Sequence, residues 1–356
     1  MEENQGLMMK KKKIWAQRGC RIALFLLSAS LMLYCLDRIL LVKRTDGILT
    51  MTNYYAQDPG TVDVLILGSS HAGMNLDTGV LWEEEGIASY ILWGSMQPFW
   101  NTYYFLQEAF KTQTPDAVVL DVFAATYSFE YSDDARQVTN TAGMKPSLTK
   151  LKAIRHSAPR SRWIDLALGF PLYHDRYSEI TAEDFQYFFW SRRQTEKKGC
   201  GRRFGTGEVT LEKVTGEEPA APLYEKERQY LLEIIDLCSR RGIPLILINT
   251  PTAHRAAEQP YYQAVRQIAA DTGVPYYNLN EMDDVTGITK QDYWTDSEHL
   301  NSEGAAKVSR WLAGLLASKG LAADRRGDPA YASWDENVRY LEADYAAEKA
   351  AALSGH

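Results

Sequence analysis

Three residues of this chain have the side chains and the spacing that nucleophilic catalysis requires. Ser70 lies in Gly68-Ser69-Ser70-His71, and Asp296 and His299 lie three residues apart, more than two hundred residues later. A serine hydroxyl is a weak nucleophile at neutral pH, so it needs an imidazole to accept its proton and a carboxylate to orient that imidazole. We therefore interpret Ser70 as a nucleophile, His299 as its general base and Asp296 as the residue that orients His299.

Sequence patterns indicate the elements that would position these side chains. Residues 62–67 form an apolar, β-branched run that is typical of a buried strand, and Gly68 ends it in a turn. Ser70 is thus expected at the carboxyl end of a central strand, where open α/β sheets bind ligands. Asp296 and His299 come just before residues 302–312, whose apolar spacing predicts a helix. A loop or first helical turn there directs both side chains toward one point.

Each motif alone also has a purely structural interpretation. A Gly-Ser-Ser turn after a strand is common in α/β proteins, and an Asp-x-x-His pair before a helix is often a helix cap beside a surface histidine. The two motifs occur after the first predicted strand and before the last predicted helix of one domain. This order favours the catalytic interpretation.

Strands and helices alternate along most of the chain. The predicted strands cover residues 62–67, 88–92, 117–121, 244–248 and 275–278. The predicted helices cover residues 77–85, 98–111, 223–241, 258–272 and 302–312. Such alternation predicts an α/β fold with a parallel sheet and helices on both faces. The number of strands fits a flavodoxin-like three-layer sandwich with a five-stranded parallel sheet.

An insertion divides the predicted domain into two parts. Residues 60–127 form the first part and residues 223–318 the second, with the insertion over residues 128–222. Its location near the carboxyl edge of the sheet predicts a lid or one wall of a groove. Its aromatic residues either stack on sugar rings or pack a small core of the insertion itself. Residues 319–356 form an acidic, partly helical tail in which we find no chemistry.

The amino terminus predicts a membrane anchor over residues 21–42. This stretch is apolar except near Asp37 and Arg38, and it is long enough to cross a bilayer if those two residues lie at the far interface. Four consecutive lysines within residues 1–20 predict that this basic segment stays in the cytoplasm, with the domain outside. The alternative is a signal peptide cleaved near residues 28–30, which would have an unusually short apolar region.

Composition limits the partners and cofactors. The 356 residues, 45% hydrophobic and 24% charged, are enough for one sizeable α/β domain. Residues 1–44 have a net charge of 9 − 3 = +6, so the remainder of the chain has −7 − 6 = −13. This acidity disfavours nucleic acid and polyanions as partners. We expect no cofactor and no metal. Cys200 and Cys238 either form one disulfide, or Cys238 is a small residue of the hydrophobic core.

At both ends of the domain the motifs resemble those of the SGNH (GDSL-like) hydrolase superfamily. Gly68-Ser69-Ser70-His71 is similar to its block I, in which the serine is third, and Asp296-Ser297-Glu298-His299 to its block V Asp-x-x-His. The likeness covers residues 60–125 and 225–318. The chain resembles the membrane-anchored extracytoplasmic members, which are associated with acylation of cell-surface polymers, more than it resembles the secreted lipases.

The resemblance also implies an oxyanion hole. In that superfamily the oxyanion is held by the N–H group of the nucleophile, a block II glycine and a block III asparagine. Ser70 is the nucleophile position and Gly94 matches block II, but residues 117–127 contain no Gly-x-Asn for block III. Asn101, Thr126 or a backbone N–H group could supply the third donor instead, and the sequence favours none of them. The further candidates for contact with substrate are His71, Gln97, Asn101 and Asn249.

The function that the resemblance implies is acyl transfer through an ester on Ser70. The enzyme would be an acyl-ester hydrolase or an O-acyltransferase for an O-acylated, in particular O-acetylated, surface glycan or its acyl donor. A membrane O-acyltransferase is the implied protein partner. The alternative is a catalytically silent member that binds glycan or scaffolds a membrane acyltransferase complex. A secreted lipase is disfavoured by the polar insertion and the anchor.

Overall fold

A computed structural model describes residues 2–41, 45–189 and 197–354 of the chain. Residues 42–44 and 190–196 and the chain ends lie outside this description, and they include the end of the predicted anchor and part of the predicted insertion. The chain divides into two compact units. The first consists of Met1–Val42 and Leu168–Phe189, and the second of Lys43–Ala167 and Trp190–His356.

The second unit contains a five-stranded sheet. Its strands are β1 Val64–Gly68, β2 Ser89–Trp93, β3 Ala117–Asp121, β4 Leu245–Asn249 and β5 Tyr276–Asn278. The strand order is β2-β1-β3-β4-β5, and every neighbouring pair is parallel. All five predicted strands are present with bounds within two residues of the prediction. The predicted α/β class with a five-stranded parallel sheet is therefore confirmed.

The helices of the described residues are numbered along the chain. They are α1 Glu2–Leu40, α2 Thr50–Tyr54, α3 Ser70–Asn75, α4 Thr78–Glu85, α5 Phe99–Ala109, α6 Asp134–Thr139, α7 Leu148–Ser157, α8 Trp163–Leu168, α9 Phe170–Tyr173, α10 Ala182–Phe189, α11 Glu225–Arg241, α12 Arg255–Thr272, α13 Asp283–Thr286, α14 Ser302–Ser318 and α15 Ala332–Ser354. The insertion thus contributes α6 to α10 among the described residues, and the tail contributes α15.

Residues of β1 alternate between two hydrophobic clusters, because successive side chains of a strand point to opposite faces of a sheet. Leu65 and Leu67 pack in one cluster with side chains of α5 and α11. Val64 and Ile66 pack in the other with side chains of α4 and α14. Every residue of β1 to β4 is buried, which explains why these strands are almost continuously apolar in sequence.

Helix α1 is long and apolar enough to cross a membrane. No other helix within residues 2–41, 45–189 and 197–354 has both properties. The stretch Met8–Leu40 has a mean hydropathy of 1.8 in its most apolar window, and none of that window is buried by protein. Length and apolarity together make this helix compatible with the predicted anchor.

Cys200 and Cys238 are both free and buried, so the disulfide alternative is wrong. Cys238 packs on α11 within the hydrophobic cluster that contains Leu65.

Candidate active site

The structure brings Ser70, His299 and Asp296 into direct contact. Nε2 of His299 lies 2.8 Å from Oγ of Ser70, across 229 residues of sequence. Nδ1 of the same ring lies 2.6 Å from Oδ2 of Asp296. Both distances are those of hydrogen bonds, so the three side chains form one continuous series.

Ser70 is held at the start of a short helix that directly follows the central strand β1. It is the first residue of α3, and Ser69 is the N-cap, whose hydroxyl accepts a hydrogen bond from the N–H of His71 at 3.4 Å. The N–H groups of a first helical turn have no intrahelical partner. The N–H of Ser70 therefore points out of the helix beside a half-buried hydroxyl.

A tight turn folds the carboxylate of Asp296 back onto His299. Oδ1 of Asp296 accepts the N–H groups of Glu298 and His299, each at 3.0 Å. Ser297, which lies between Asp296 and Glu298, has φ 63°. This is a left-handed conformation that few residues other than glycine adopt. The strained turn leaves Oδ2 free to bind the imidazole, so a single four-residue segment supplies both side chains.

The charge on Asp296 determines which nitrogen of His299 carries the proton. Burial raises the pKa of Asp296, but hydrogen bonds from the ring and the N–H of His299 outweigh burial and lower the pKa to about 2. An ionised carboxylate can only accept hydrogen bonds. In the neutral ring, Nδ1 therefore donates to Asp296, and Nε2 is left to accept the hydroxyl proton of Ser70.

His71 lies in a stack of rings with His299. Its ring centroid is 3.6 Å from that of Phe123, with the planes 18° apart, and 4.7 Å from that of His299. Burial lowers the pKa of His71 well below its ordinary value, and the charge of His299 lowers it further. His71 is thus a neutral, buried ring that packs against the general base, rather than a side chain open to solvent.

Asn75, at the end of α3, joins the two halves of the site, and the sequence offered no signal for it. Its Oδ1 accepts the N–H of Leu300, the residue after His299, at 2.8 Å. Its Nδ2 donates to Oγ1 of Thr250 at 2.9 Å and to the carbonyl of Pro251 at 3.3 Å. One buried amide therefore connects the helix of Ser70 to the turn of His299 and to the loop after β4.

Asp121 fixes the loops that follow β3 and β4. Its Oδ2 accepts both the N–H and the hydroxyl of Thr250 at 3.0 Å, and its Oδ1 accepts the N–H of Phe123 at 3.1 Å. Burial raises the pKa of Asp121 to about 6, although these hydrogen bonds act in the opposite direction. Thr250 is shared with Asn75, so the two networks form one unit beneath the stack of rings.

Gly94 follows β2 at the edge of the sheet where Ser70 follows β1. The register pairs Gly68 with Trp93, which brings the two loops side by side. A Cβ atom on Gly94 would lie 1.9 Å from Oδ1 of Asn140. A side chain at this position would force the amide of Asn140 to move, so glycine allows the present packing of Asn140 against the loop after β2.

The other predicted contacts with substrate have buried amides that are bonded inside the protein. Nε2 of Gln97 donates to Thr102 at 2.9 Å. Asn101 donates to Ser157 at 2.9 Å, and Asn249 to Asn278 at 2.7 Å. The structure thus brings Ser70, Asp296, His299 and His71 together and holds Gln97, Asn101 and Asn249 in packing contacts.

The end of the insertion forms a strap, residues 198–207, across the edge of the domain. Its first part joins β2 and α3, since the carbonyl of Lys198 accepts the N–H of Ile91 at 3.0 Å and the N–H of Gly201 donates to Gly73 at 2.8 Å. Its second part holds the loop of His299. There the carbonyl of Arg203 accepts the N–H of Ser302, and the carbonyl of Gly205 accepts Nδ2 of Asn301.

Within residues 2–41, 45–189 and 197–354, no three His, Cys, Asp or Glu side chains are grouped to hold a metal ion. Comparison of the chain with protein-family models, curated proteins and solved structures finds no match. The chemistry of the site therefore has to be inferred from its own residues.

Proposed function

We propose that this protein is a serine-dependent acyl-ester hydrolase or O-acyltransferase with Ser70 as its nucleophile. The observation that carries the proposal is the series of two hydrogen bonds, 2.8 Å from Ser70 to His299 and 2.6 Å from His299 to Asp296. The hydroxyl faces the unprotonated nitrogen of a ring whose other nitrogen is bound by a carboxylate. This arrangement activates a serine.

Catalysis would proceed in two steps. Oγ of Ser70 attacks the carbonyl carbon of an acyl ester while Nε2 of His299 takes the hydroxyl proton, and that proton then passes to the leaving alcohol as the ester bond breaks. Water or a sugar hydroxyl next attacks the acyl-Ser70 ester and gives its proton to His299, which passes it to Oγ of Ser70 as the acyl–Oγ bond breaks and the acid or the new ester leaves. Asp296 stays ionised throughout, in keeping with its lowered pKa.

The N–H groups of Ser70 and Gly94 would stabilise the negative charge on the acyl oxygen. The free N–H at the first position of α3 supports the role of Ser70, and the pairing of β1 with β2 supports the role of Gly94. The resemblance calls for a third donor, and residues 122–127 have no asparagine. Loss of one such donor typically lowers turnover roughly 100- to 1000-fold, so we expect a slow or highly selective enzyme.

Membership of the SGNH superfamily, with a flavodoxin-like three-layer arrangement, is part of this proposal. The strand order β2-β1-β3-β4-β5 supports it, because flavodoxin-like sheets have this order. The proposed substrate is an O-acylated, in particular O-acetylated, cell-surface glycan or its acyl donor. The acidity of residues 45–356 supports a neutral or cationic polymer over a polyanion.

We also propose a single-pass membrane protein whose domain lies outside the cell membrane. Helix α1 is long and apolar enough for this role, and the lysines at positions 10–13 favour a cytoplasmic amino terminus. A membrane O-acyltransferase that delivers acyl groups to the outer face is the partner that this location suits.

Labelling of the full-length protein with a fluorophosphonate tests the proposed nucleophile. The probe reacts with an activated serine, so we expect labelling of the wild type and none of Ser70→Ala or His299→Ala. Ser318→Ala and His254→Ala are the controls, because Ser318 is an exposed serine at the end of α14 and His254 is an exposed histidine after β4. Both controls are expected to label.

A wild type that stays unlabelled while its circular dichroism and thermal unfolding are normal would refute the proposal. The alternative, a catalytically silent protein that binds glycan or scaffolds an acyltransferase complex, would then be the better account. Labelling that persists in Ser70→Ala would show that another residue reacts.

A further inference from the structure

Part of the insertion packs against the end of the apolar helix α1. Leu168–Phe189 forms one compact unit with Met1–Val42, and we call Leu168–Phe189 the docked segment. Among its described residues are α9, the 3-10 helix His174–Glu179 and α10. It leaves the second unit after Ala167, so the chain returns from that unit to the end of α1.

Arg176 joins the docked segment to the last turn of α1. Its Nη1 donates to the carbonyl of Leu40 at 3.0 Å and to that of Leu41 at 3.3 Å. Carbonyl groups at a helix carboxyl terminus have no intrahelical partners and carry partial negative charge. The guanidinium of Arg176 therefore caps α1, while its Nη2 is oriented by Oδ1 of Asp184 at 2.9 Å.

One further contact lies within the docked segment, and a second lies against α1. Oδ2 of the buried Asp184 accepts the N–H of Thr181 at 2.9 Å, which caps the start of α10. A Cβ atom on Gly169, whose φ is +70°, would lie 2.0 Å from Oδ1 of Asp37. The backbone at Gly169 thus lies directly against α1, within one turn of the helix end that Arg176 caps.

The length of α1 sets this depth relative to a bilayer. A hydrocarbon core of about 30 Å requires about 20 helical residues, and residues 22–41 supply that length. Residues 37–41 then reach the far boundary of the core. The headgroup layer beyond it is roughly 5 to 8 Å deep, and a helix is about 10 Å across. A segment that packs beside residues 37–41 must therefore occupy that layer.

The docked segment exposes large apolar and aromatic side chains. Leu168 is 59% exposed, Tyr177 73% and Phe185 45%. Tyrosine is enriched at membrane interfaces because its ring is apolar and its hydroxyl is polar. Burial of such side chains among lipids removes apolar surface from water and is favourable.

We propose that the docked segment is a membrane-interface contact whose Leu168, Tyr177 and Phe185 side chains lie among lipid headgroups. The inference rests on the membrane anchor in the proposed function and is independent of the chemistry at Ser70. Lipid is the partner because the contacts with residues 37–41 already hold the segment at bilayer depth. The insertion then adds a second membrane contact to the anchor itself.

Spin-label depth measurements on the full chain in phosphatidylcholine and phosphatidylglycerol vesicles test this proposal. Each label is attached to one introduced cysteine in a background with Cys20→Ser and Cys35→Ser. Cys200 and Cys238 are buried and are left in place. Collision with oxygen reports on lipid, and collision with a water-soluble nickel chelate reports on water.

Four label positions make the outcomes distinguishable. Tyr177→Cys and Phe185→Cys probe the docked segment, Leu31→Cys probes the anchor, and Val285→Cys, exposed on α13, is the aqueous reference. We expect the Leu31 label in hydrocarbon and the Tyr177 and Phe185 labels at the interface, with nickel accessibility several-fold below that at Val285.

Two results would overturn the inference in different ways. If the labels at Tyr177 and Phe185 match the one at Val285 while the label at Leu31 is in hydrocarbon, the anchor is correct and the interface contact is wrong. If the label at Leu31 is also aqueous, the anchor in the proposed function fails, and the interface contact fails with it.

Discussion

Replacement of Asn75 with alanine is expected to slow catalysis strongly although Asn75 contacts neither Ser70 nor the acyl group in the proposed mechanism. The amide of Asn75 holds the N–H of Leu300 at 2.8 Å, the hydroxyl of Thr250 at 2.9 Å and the carbonyl of Pro251 at 3.3 Å, and its Nδ2 also lies 3.4 Å from Nδ1 of His71. Alanine removes all four contacts while it leaves the proposed triad residues unchanged.

The expected loss of stability follows from the burial of these groups. Leu300 is fully buried, so its N–H has no access to water once the amide is gone. A buried polar group without a partner costs roughly 1–3 kcal/mol, whereas a weaker or replaceable hydrogen bond costs about 1 kcal/mol or less. We therefore expect the free energy of unfolding to fall by about 2–4 kcal/mol.

The expected loss of rate follows from the position of Leu300. It is the residue after His299, so a shift of its backbone moves the imidazole relative to Ser70. Misplacement of a catalytic group by about 1 Å lowers the rate on the order of 100-fold. We expect kcat for hydrolysis of p-nitrophenyl acetate to fall roughly 10- to 100-fold, measured at a temperature where urea titration shows the variant to be folded.

Gln113→Ala is the matched control for this experiment. Oε1 of Gln113 accepts the N–H groups of Thr61 and Val62 in two buried hydrogen bonds, and its Nε2 donates to the carbonyl of Asp58 in a partly buried one. These contacts lie before β1, at the edge of the sheet opposite Ser70. Gln113→Ala should lose similar stability and keep its kcat. If Asn75→Ala retains the kcat of Gln113→Ala, the argument for positioning through Leu300 is refuted.

Three further predictions concern Gly94, Asp296 and His71. Gly94→Ala should slow fluorophosphonate labelling, because its Cβ would lie 1.9 Å from Oδ1 of Asn140 and force that side chain to move beside the proposed oxyanion donor. Gly314→Ala, with open space around it, should label at the wild-type rate, and equal rates for the two variants would contradict the steric argument. The pKa of Asp296, about 2 against an ordinary 3.8, means that its carboxylate stabilises the fold above about pH 4 and that this stability is lost as the pH falls toward 2. In urea titrations, the difference in unfolding free energy between wild type and Asp296→Asn should therefore become smaller as the pH falls from about 4 toward 2. A difference that stays constant over this range would contradict the prediction. NMR of the ring nitrogens should show that the pKa of His71 lies below its ordinary value of 6.5 because the ring is buried, and titration at or above 6.5 would contradict this prediction.

Local sequence patterns were sufficient to predict the strands and the two motifs. Residues 117–120 are apolar and follow the turn-forming pair Pro115-Asp116, and β3 covers Ala117–Asp121, as predicted. A strand buried on both faces needs an unbroken apolar run, and that requirement is visible in a short window of sequence. The order of the motifs relative to the strands then predicted that Ser70 and His299 share one edge of the sheet.

Contacts between distant segments were decided by the tertiary structure alone. Asn75 and Leu300 are separated by 225 residues, and no spacing rule relates a helix-terminal amide to a loop N–H. The strap is equally invisible in sequence, because it binds β2 and the loop of His299 through backbone groups that every residue possesses. Gln97, Asn101 and Asn249 illustrate the converse: their residue types suit substrate binding, and only the structure shows that each amide nitrogen donates to another residue of the protein.

The sequence by itself determined the residue types that can perform acyl chemistry, the parallel order of strands and helices, and an apolar amino-terminal helix of membrane-spanning length. Only the tertiary structure decided that Ser70, His299 and Asp296 meet at hydrogen-bond distance, that His71 is a buried ring beside the base, and that Leu168–Phe189 packs at the end of α1. The physical reason is that periodicity and propensity act over a few neighbouring residues. Ångström-scale geometry, in contrast, depends on how the whole chain buries its apolar surface and satisfies its polar groups.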